Sequence, residues 1–308
     1  MKNHQFRKSL FSLVCCLCFS TLFSQQVPDT SFTYPIKKAR YSENKGPIIY
    51  IDGAHHNFHT IDGRYQTFAN VVAADGYQMK GSNEAFSKEV LSGCRILVIS
   101  NPLHESNQGN WNLPTPSAFT EAEIKAVKEW VKSGGRLFLI ADHMPFGGAT
   151  YDLGKAFGVE WSNGFAMDNR RRSPEHFTRE NGLLLVGPIT EGQNEDERID
   201  DVVTFTGSAF QLPKGATPIL QLDQHYTLLE PEQAWQFEED TPFKSGSGWY
   251  QAAHLTHGKG KVVVFGEAAM FSAQLGGPNQ RPFGMNEPEA KQNPQLLLNI
   301  IHWLDEGK

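Results

Sequence analysis

Cysteine is scarce, with four in 308 residues. Three of them (Cys15, Cys16, Cys18) sit inside an N-terminal apolar run, so Cys94 is alone in the rest of the chain and no disulfide can form there. The fold must be held by burial, for which about 260 residues suffice. Basic charge is also limited: 28 Lys and Arg stand against 34 Asp and Glu, a formal charge of −6. The densest basic run is Arg170-Arg171-Arg172, which excludes the broad positive field that nucleic-acid binding requires. After residue 23 no apolar run reaches the ~18 residues of a membrane span. Neither G-x-S-x-G nor G-x-x-x-x-G-K-[ST] occurs, and no strand-linked G-x-G-x-x-G, which removes the α/β-hydrolase elbow and the usual nucleotide cradles. H-E-x-x-H is missing too. With 28 glycines and 17 prolines, a coiled coil is excluded.

At the N-terminus, Lys2, Arg7 and Lys8 precede an apolar run from Leu10 to Phe23, the pattern of a secretory signal cut near Ser24-Gln25. An uncleaved anchor and lipoprotein processing at one of the three cysteines are the alternatives. The expected organisation is a signal peptide over 1–24, a flexible polar leader over 25–46, and one α/β domain over 47–308. Its location would be periplasmic or secreted.

Four short apolar runs read as strands buried on both faces: Ile48–Ile51, Ile96–Ile99, Leu137–Ile140 and Val262–Phe265. Helices are expected from Gly63 to Ala74, near Ala85 to Leu91, from the capping box Thr120-x-x-Glu123, from Ala149 to Phe157, and after Asn293-Pro294. A weak strand falls at Tyr77–Lys80. Alternating strands and helices predict a mostly parallel sheet covered on both faces. The rhythm fails over about 162–247, which reads as an insertion of loops and short strands.

In such a sheet, ligands bind outside the carboxyl ends of the strands. The segments there are Asp52 to Thr60 (DGAHHNFHT), Asn101 to Glu105, Asp142 to Gly148 (DHMPFGG) and Gly266 to Met270. Of eleven histidines, His55, His56, His59, His104 and His143 fall in these loops. Asp52, His55 and His59 offer carboxylate and imidazole donors for a divalent metal such as zinc, which would activate water; a metal-free polar pocket is the other reading. Asp142, His143, His56 and Glu267 are the catalytic candidates. Glu267 directly follows a long apolar strand and would be costly to bury without a role; a salt bridge to an arginine is its plainer explanation.

Asp52–Thr60 with Gly63-Arg64-Tyr65, Ala141–Gly148 (ADHMPFGG), Ser162–Phe165 (SNGF), Gly266–Gln274 (GEAAMFSAQ) and Gly284-Met285-Asn286 together resemble a known group. These are exported bacterial proteins with a class I glutamine-amidotransferase-like domain of unknown function, more distantly akin to ThuA-like trehalose-utilisation proteins. The resemblance implies a flavodoxin-like, doubly wound sheet. Asn57, Arg64, Asn163 and Asn286, which lie in these segments, and His104 in the loop after its strand are the substrate-binding candidates. The resemblance does not carry the cysteine chemistry. Where class I amidotransferases place a nucleophilic cysteine in an elbow, this sequence reads Ala141-Asp142-His143-Met144, and Cys94 precedes its strand. The expectation is an exported hydrolase-like enzyme acting on a small polar, carbohydrate-derived substrate, with one histidine or Glu267 as general base. Its rival is a non-catalytic domain that binds a glycan or a partner.

Overall fold

The computed structural model describes residues 26–170 and 173–307. The expected signal peptide, its cleavage point and its three cysteines lie outside these residues, as do Arg171 and Arg172. Nine strands make the central sheet: β1 (Ile48–Asp52), β2 (Gln78–Ser82), β3 (Ile96–Ser100), β4 (Arg136–Ile140), β5 (Glu160–Trp161), β6 (Phe210–Gln211), β7 (Thr217–Gln221), β8 (Tyr250–His257) and β9 (Gly260–Phe265). Their order is β2-β1-β3-β4-β9-β8-β6-β5, with β7 also paired to β8. The first five of that order are parallel, and the remaining strands pair antiparallel. Six helices accompany them among the described residues: α1 (Gln66–Ala74), α2 (Lys88–Leu91), α3 (Glu121–Lys132), α4 (Phe146–Lys155), α5 (Pro188–Glu191) and α6 (Asn293–Asp305).

The apolar runs lack a period of two because both faces of the sheet are covered. Every residue of β3 and β4 is buried. Along β4, Phe138 and Ile140 join Phe68 and Val72 of α1 and Leu296 and Ile300 of α6, whereas Leu137 and Leu139 join Val127 and Val131 of α3 and Leu153 of α4. Each such side chain, fully withdrawn from water, contributes ~1.5–3 kcal/mol. Helix α3 starts as its sequence requires: Thr120 Oγ1 accepts from Glu123 N at 3.3 Å and Glu123 Oε2 accepts from Thr120 N at 3.0 Å. Helix α1 starts later than expected, because the Thr60 carbonyl draws the N–H groups of Gly63 and Tyr65 into a turn first.

Two segments differ from their compositional reading. Residues 26–46, expected as a flexible leader, are laid against the core: Val27–Pro28 pairs with the strand Ala273–Gly276, Arg40 N donates to Asp75, and Tyr41 Oη donates to Asp305 at 2.6 Å. Phe32, Tyr34, Ile36 and Tyr41 supply apolar contacts there. The stretch 162–247 does break the parallel rhythm, with Phe165–Asp168, Tyr226–Leu229 and Phe243–Ser245 forming a separate antiparallel sheet. Yet β6 and β7 belong to it and extend the central sheet, because Phe210 and Leu220 are buried there. No helix of the described residues is long and apolar enough to cross a membrane.

Candidate functional site

The loops after β1, β3, β4 and β9 meet around a cleft of about 1270 Å³. Asn101, just after β3, ties three of them together. Its backbone carbonyl accepts from Phe58 N at 2.9 Å, its own N–H donates to Ile140 O, and its Oδ1 accepts from Asp142 N at 2.8 Å. It does so with a φ of +48°, a left-handed conformation that asparagine tolerates better than most side chains. The loop after β9 is held from the other side by close backbone approach. A Cβ on Gly207 would collide with Gly266 O, and one on Gly266 with Ser208 O, so this contact of the 162–247 stretch with the Glu267 loop needs glycine at both positions.

Asp142 and Glu267 line the cleft and are 8% and 1% exposed. Glu267 Oε1 accepts from Ala269 N at 2.9 Å and Oε2 from Met270 N at 2.8 Å. Burial is the main force raising both carboxyls above their ordinary range; Asp142 then pushes Glu267 well up by like-charge repulsion. Asp142 is restrained by His143 and by the N–H groups of His143 and Ala268. Both acids are shifted towards the protonated form, Glu267 the further of the two. His143 donates from Nδ1 to Met144 O at 2.7 Å, which fixes that proton because a carbonyl only accepts. Its ring stacks on Phe165 at 4.5 Å and meets the edge of Trp235 at 4.7 Å.

His59 and Arg64 also line the cleft. His59 is 3% exposed, its Nδ1 has no partner, and burial followed by the Arg64 charge holds its pKa well below the usual histidine value. It is therefore neutral. Arg64 lies 3.9 Å above the Phe58 ring, donates from one terminal nitrogen to Phe58 O, and leaves a buried Nε unpartnered. Phe58, Trp111 and Phe146 pack edge and face at 5.3–5.5 Å to complete an aromatic side. Trp235 stands at its edge with a φ of +67° and 49% exposure, a strained backbone for so large a residue. The loop carrying it is tied to the Trp111 loop by Ala234 N→Trp111 O and Leu113 N→Glu232 O.

The other sequence candidates fall elsewhere. Asp52, His55 and His59 do not form one ligand set, and among the described residues no three His, Cys, Asp or Glu side chains converge to hold a metal. His55 instead bridges Asp52 at 2.9 Å through Nδ1 and Glu123 of α3 at 2.9 Å through Nε2, beneath Phe86 and Phe119. Both its nitrogens are occupied, so it has no lone pair for zinc. His56 is exposed with a φ of +47° and does not line the cleft. Asn57 accepts from His55 N and donates to Ser100 O, which shapes the loop. His104 caps the turn at Ser106. Asn163 joins Gly148 N to Thr115 Oγ1, and Asn286 joins Asp29 to Gln274 O and Phe283 N. Cys94 is half-buried away from the cleft, and burial pushes its thiol up to about 12. Residues that sequence reasoning passed over as site members are Asn101, Trp111, Trp235 and Gln274, whose buried Oε1 also lacks a partner. Tryptophans in polar loops were the available signal for two of them.

Neither a protein-family model nor a curated protein matches the chain. Solved structures do resemble it. The mmIFT52 N-terminal domain aligns with 84% of this chain and 98% of its own at 15% identity and a TM-score of 0.58. A cytoplasmic protein of Salmonella typhimurium LT2 aligns with 84% of this chain and 99% of its own at 12% identity and a TM-score of 0.50. A protein described as ThuA-like, from Bacteroides uniformis ATCC 8492, aligns with 88% and 95% of the two chains at 15% identity and a looser TM-score of 0.45. At these identities the likeness is one of mixed α/β fold with a largely parallel central sheet.

Proposed function

We propose that the chain is an exported hydrolase, built on a flavodoxin-like, doubly wound α/β domain with an insertion, acting on a small polar, carbohydrate-derived substrate. One observation carries the reading: two buried carboxyls, Asp142 and Glu267, line the same cleft, burial raises the proton affinity of both, and Asp142 raises that of Glu267 further. Such a pair can hold one proton near neutral pH, which gives an acid and a base side by side. Glu267, raised further, is the member that keeps the proton and gives it to the leaving oxygen. Asp142, ionised, takes a proton from the attacking water. The aromatic side of Phe58, Trp111 and Phe146 offers flat apolar faces for a sugar ring, and His143 Nε2 and the free amide of Asn101 are placed to bind hydroxyls. Because Asp52 and Glu123 occupy both nitrogens of His55, this reading assigns the water-activating role to carboxylate rather than to a metal.

The experiment is a panel of glycoside and ester substrates assayed with the purified protein and with Asp142→Asn and Glu267→Gln. Loss of turnover in both variants with unchanged melting supports the assignment; full turnover in either one refutes it.

A further inference from the structure

The arginines near carboxylates in this molecule are paired: Arg40 and Arg95 with Asp305, Arg170 with Asp168, Arg179 with Glu191 and Asp200, and Arg198 with Asp200. Arg64 is different. It lines the cleft, its Nε is buried without a partner, and no carboxylate lies within 4.0 Å of it among the described residues. A half-buried guanidinium is costly to leave uncompensated. Next to it, the buried His59 also presents an unpartnered Nδ1, and Asn101, lining the same cleft, has a buried Nδ2 with no partner. With Gln274 Oε1, four residues lining one cavity leave a buried polar atom open, which marks a place where a ligand completes the hydrogen bonding.

We propose that this wall is a carboxylate subsite, so that the substrate of the proposed hydrolase is an acidic sugar, with its carboxylate on Arg64 and His59 and its ring against Phe58 and Trp111. This inference rests on the hydrolase reading for the reaction, but the binding preference stands separately from it. A carboxylate suits the site better than a phosphate for two reasons. Its planar pair of oxygens matches the guanidinium fork, in which Nε is the free inner donor. A phosphate dianion would bring twice the negative charge into a cleft that already holds Asp142 and Glu267, and a single arginine would have to compensate it. Binding also draws on His59. Burial first and the Arg64 charge second depress the imidazole's proton affinity; an anion there opposes the Arg64 part, and protonation of Asp142 and Glu267 in the same cleft removes repulsion, so affinity for the acid should strengthen as pH falls.

Calorimetric titration of the purified protein with glucuronate, glucose and glucose 6-phosphate, at pH 5.5 and 8, tests this. Glucuronate should bind at least about ten-fold more tightly than either comparison sugar, and more tightly at the lower pH. Arg64→Gln should remove the preference while melting as the native protein does, and Arg64→Lys should restore part of it by charge alone. If Arg64→Gln fails to fold, the native protein still decides, because raising salt must weaken glucuronate binding and shrink its preference over glucose while glucose binding is unchanged. Equal binding of glucose and glucuronate, tightest binding of glucose 6-phosphate, no binding of any of the three, or an Arg64→Gln variant that keeps the preference would each overturn the proposal. Hydrolysis that survives Asp142→Asn and Glu267→Gln would remove the hydrolase reading and leave the acid preference intact. Hydrolysis of neutral glycosides with no acid preference would do the reverse.

Discussion

His55 and His59 leave the same loop four residues apart and end in opposite environments. His55 is buried between two carboxylates, and although burial opposes its charge, Asp52 and Glu123 raise its proton affinity. Glu123 is affected in the complementary sense: burial pushes it up, but the backbone and hydroxyl of Thr120, His55 and the Phe86 N–H hold it down at about 2. Every polar atom of that network has a partner. His59 is as deeply buried, has an unpartnered nitrogen, and is forced neutral by burial and by Arg64. One region uses charge to fasten α3 to the end of β1, and the other leaves polar groups unsatisfied around a cavity. The difference teaches that a cluster of histidines after a strand is two things at once, a clamp and a site, and that partners contributed from distant elements decide which residue serves which.

The largest effect that would sharpen this contrast lies in the cleft. Glu267→Gln should lower kcat by about 10²–10⁴-fold, with melting temperature unchanged or raised, because a desolvated acid repelled by Asp142 is removed. A drop in stability with retained turnover would place Glu267 among the clamps. Next is the clamp itself. His55→Leu should cost ~3 kcal/mol in chemical denaturation, since it strands two buried carboxylates, while the folded fraction keeps its turnover. Equal loss from His59→Leu would erase the distinction.

A smaller effect comes from pH. Glu123 is lower in the folded protein than its ordinary 4.5, so its contribution is present above pH 4.5 and is lost as pH falls from there towards 2. His55 is raised above 6.5, so its contribution is full below that value and fades as pH rises through the raised folded value. Stability attributable to the clamp should therefore be greatest between these limits, and the His55→Leu variant should show a flatter profile. The smallest effect is at Cys94, half-buried and far from the cleft, where Cys94→Ala should change stability by no more than ~0.5–1 kcal/mol and leave turnover and binding intact.

Much of the sheet was legible because its strands are short apolar runs with both faces covered: Ile48–Ile51, Ile96–Ile99, Leu137–Ile140 and Val262–Phe265 each lie in a central strand. The polar rim was legible in outline for the same reason, since Asp142 and Glu267 follow such strands. What the sequence hid was partnership. Glu123 reads as half of a capping box, and nothing in its local pattern shows that its other oxygen reaches His55, 68 positions away. Asn163 and Asn286 look like ligand-binding amides, yet Gly148, Thr115, Asp29, Gln274 and Phe283, some of them far away in sequence, use their hydrogen-bonding capacity. Trp235 sits in a polar stretch with no period at all, and only the hydrogen bonds between its loop and that of Trp111 bring it to the cleft. β6 was hidden too, because a two-residue strand carries no periodicity.

The central claim is that the cleft holds a carboxyl pair sharing a proton, and carboxyl-carbon NMR of the protein labelled at Asp and Glu, followed from pH 3 to pH 9, tests it most directly. The account predicts one Glu resonance, lost in Glu267→Gln, that stays protonated well above the ordinary carboxylate range and moves down in Asp142→Asn. Titration of Glu267 near 4, with no response to Asp142→Asn, would contradict it.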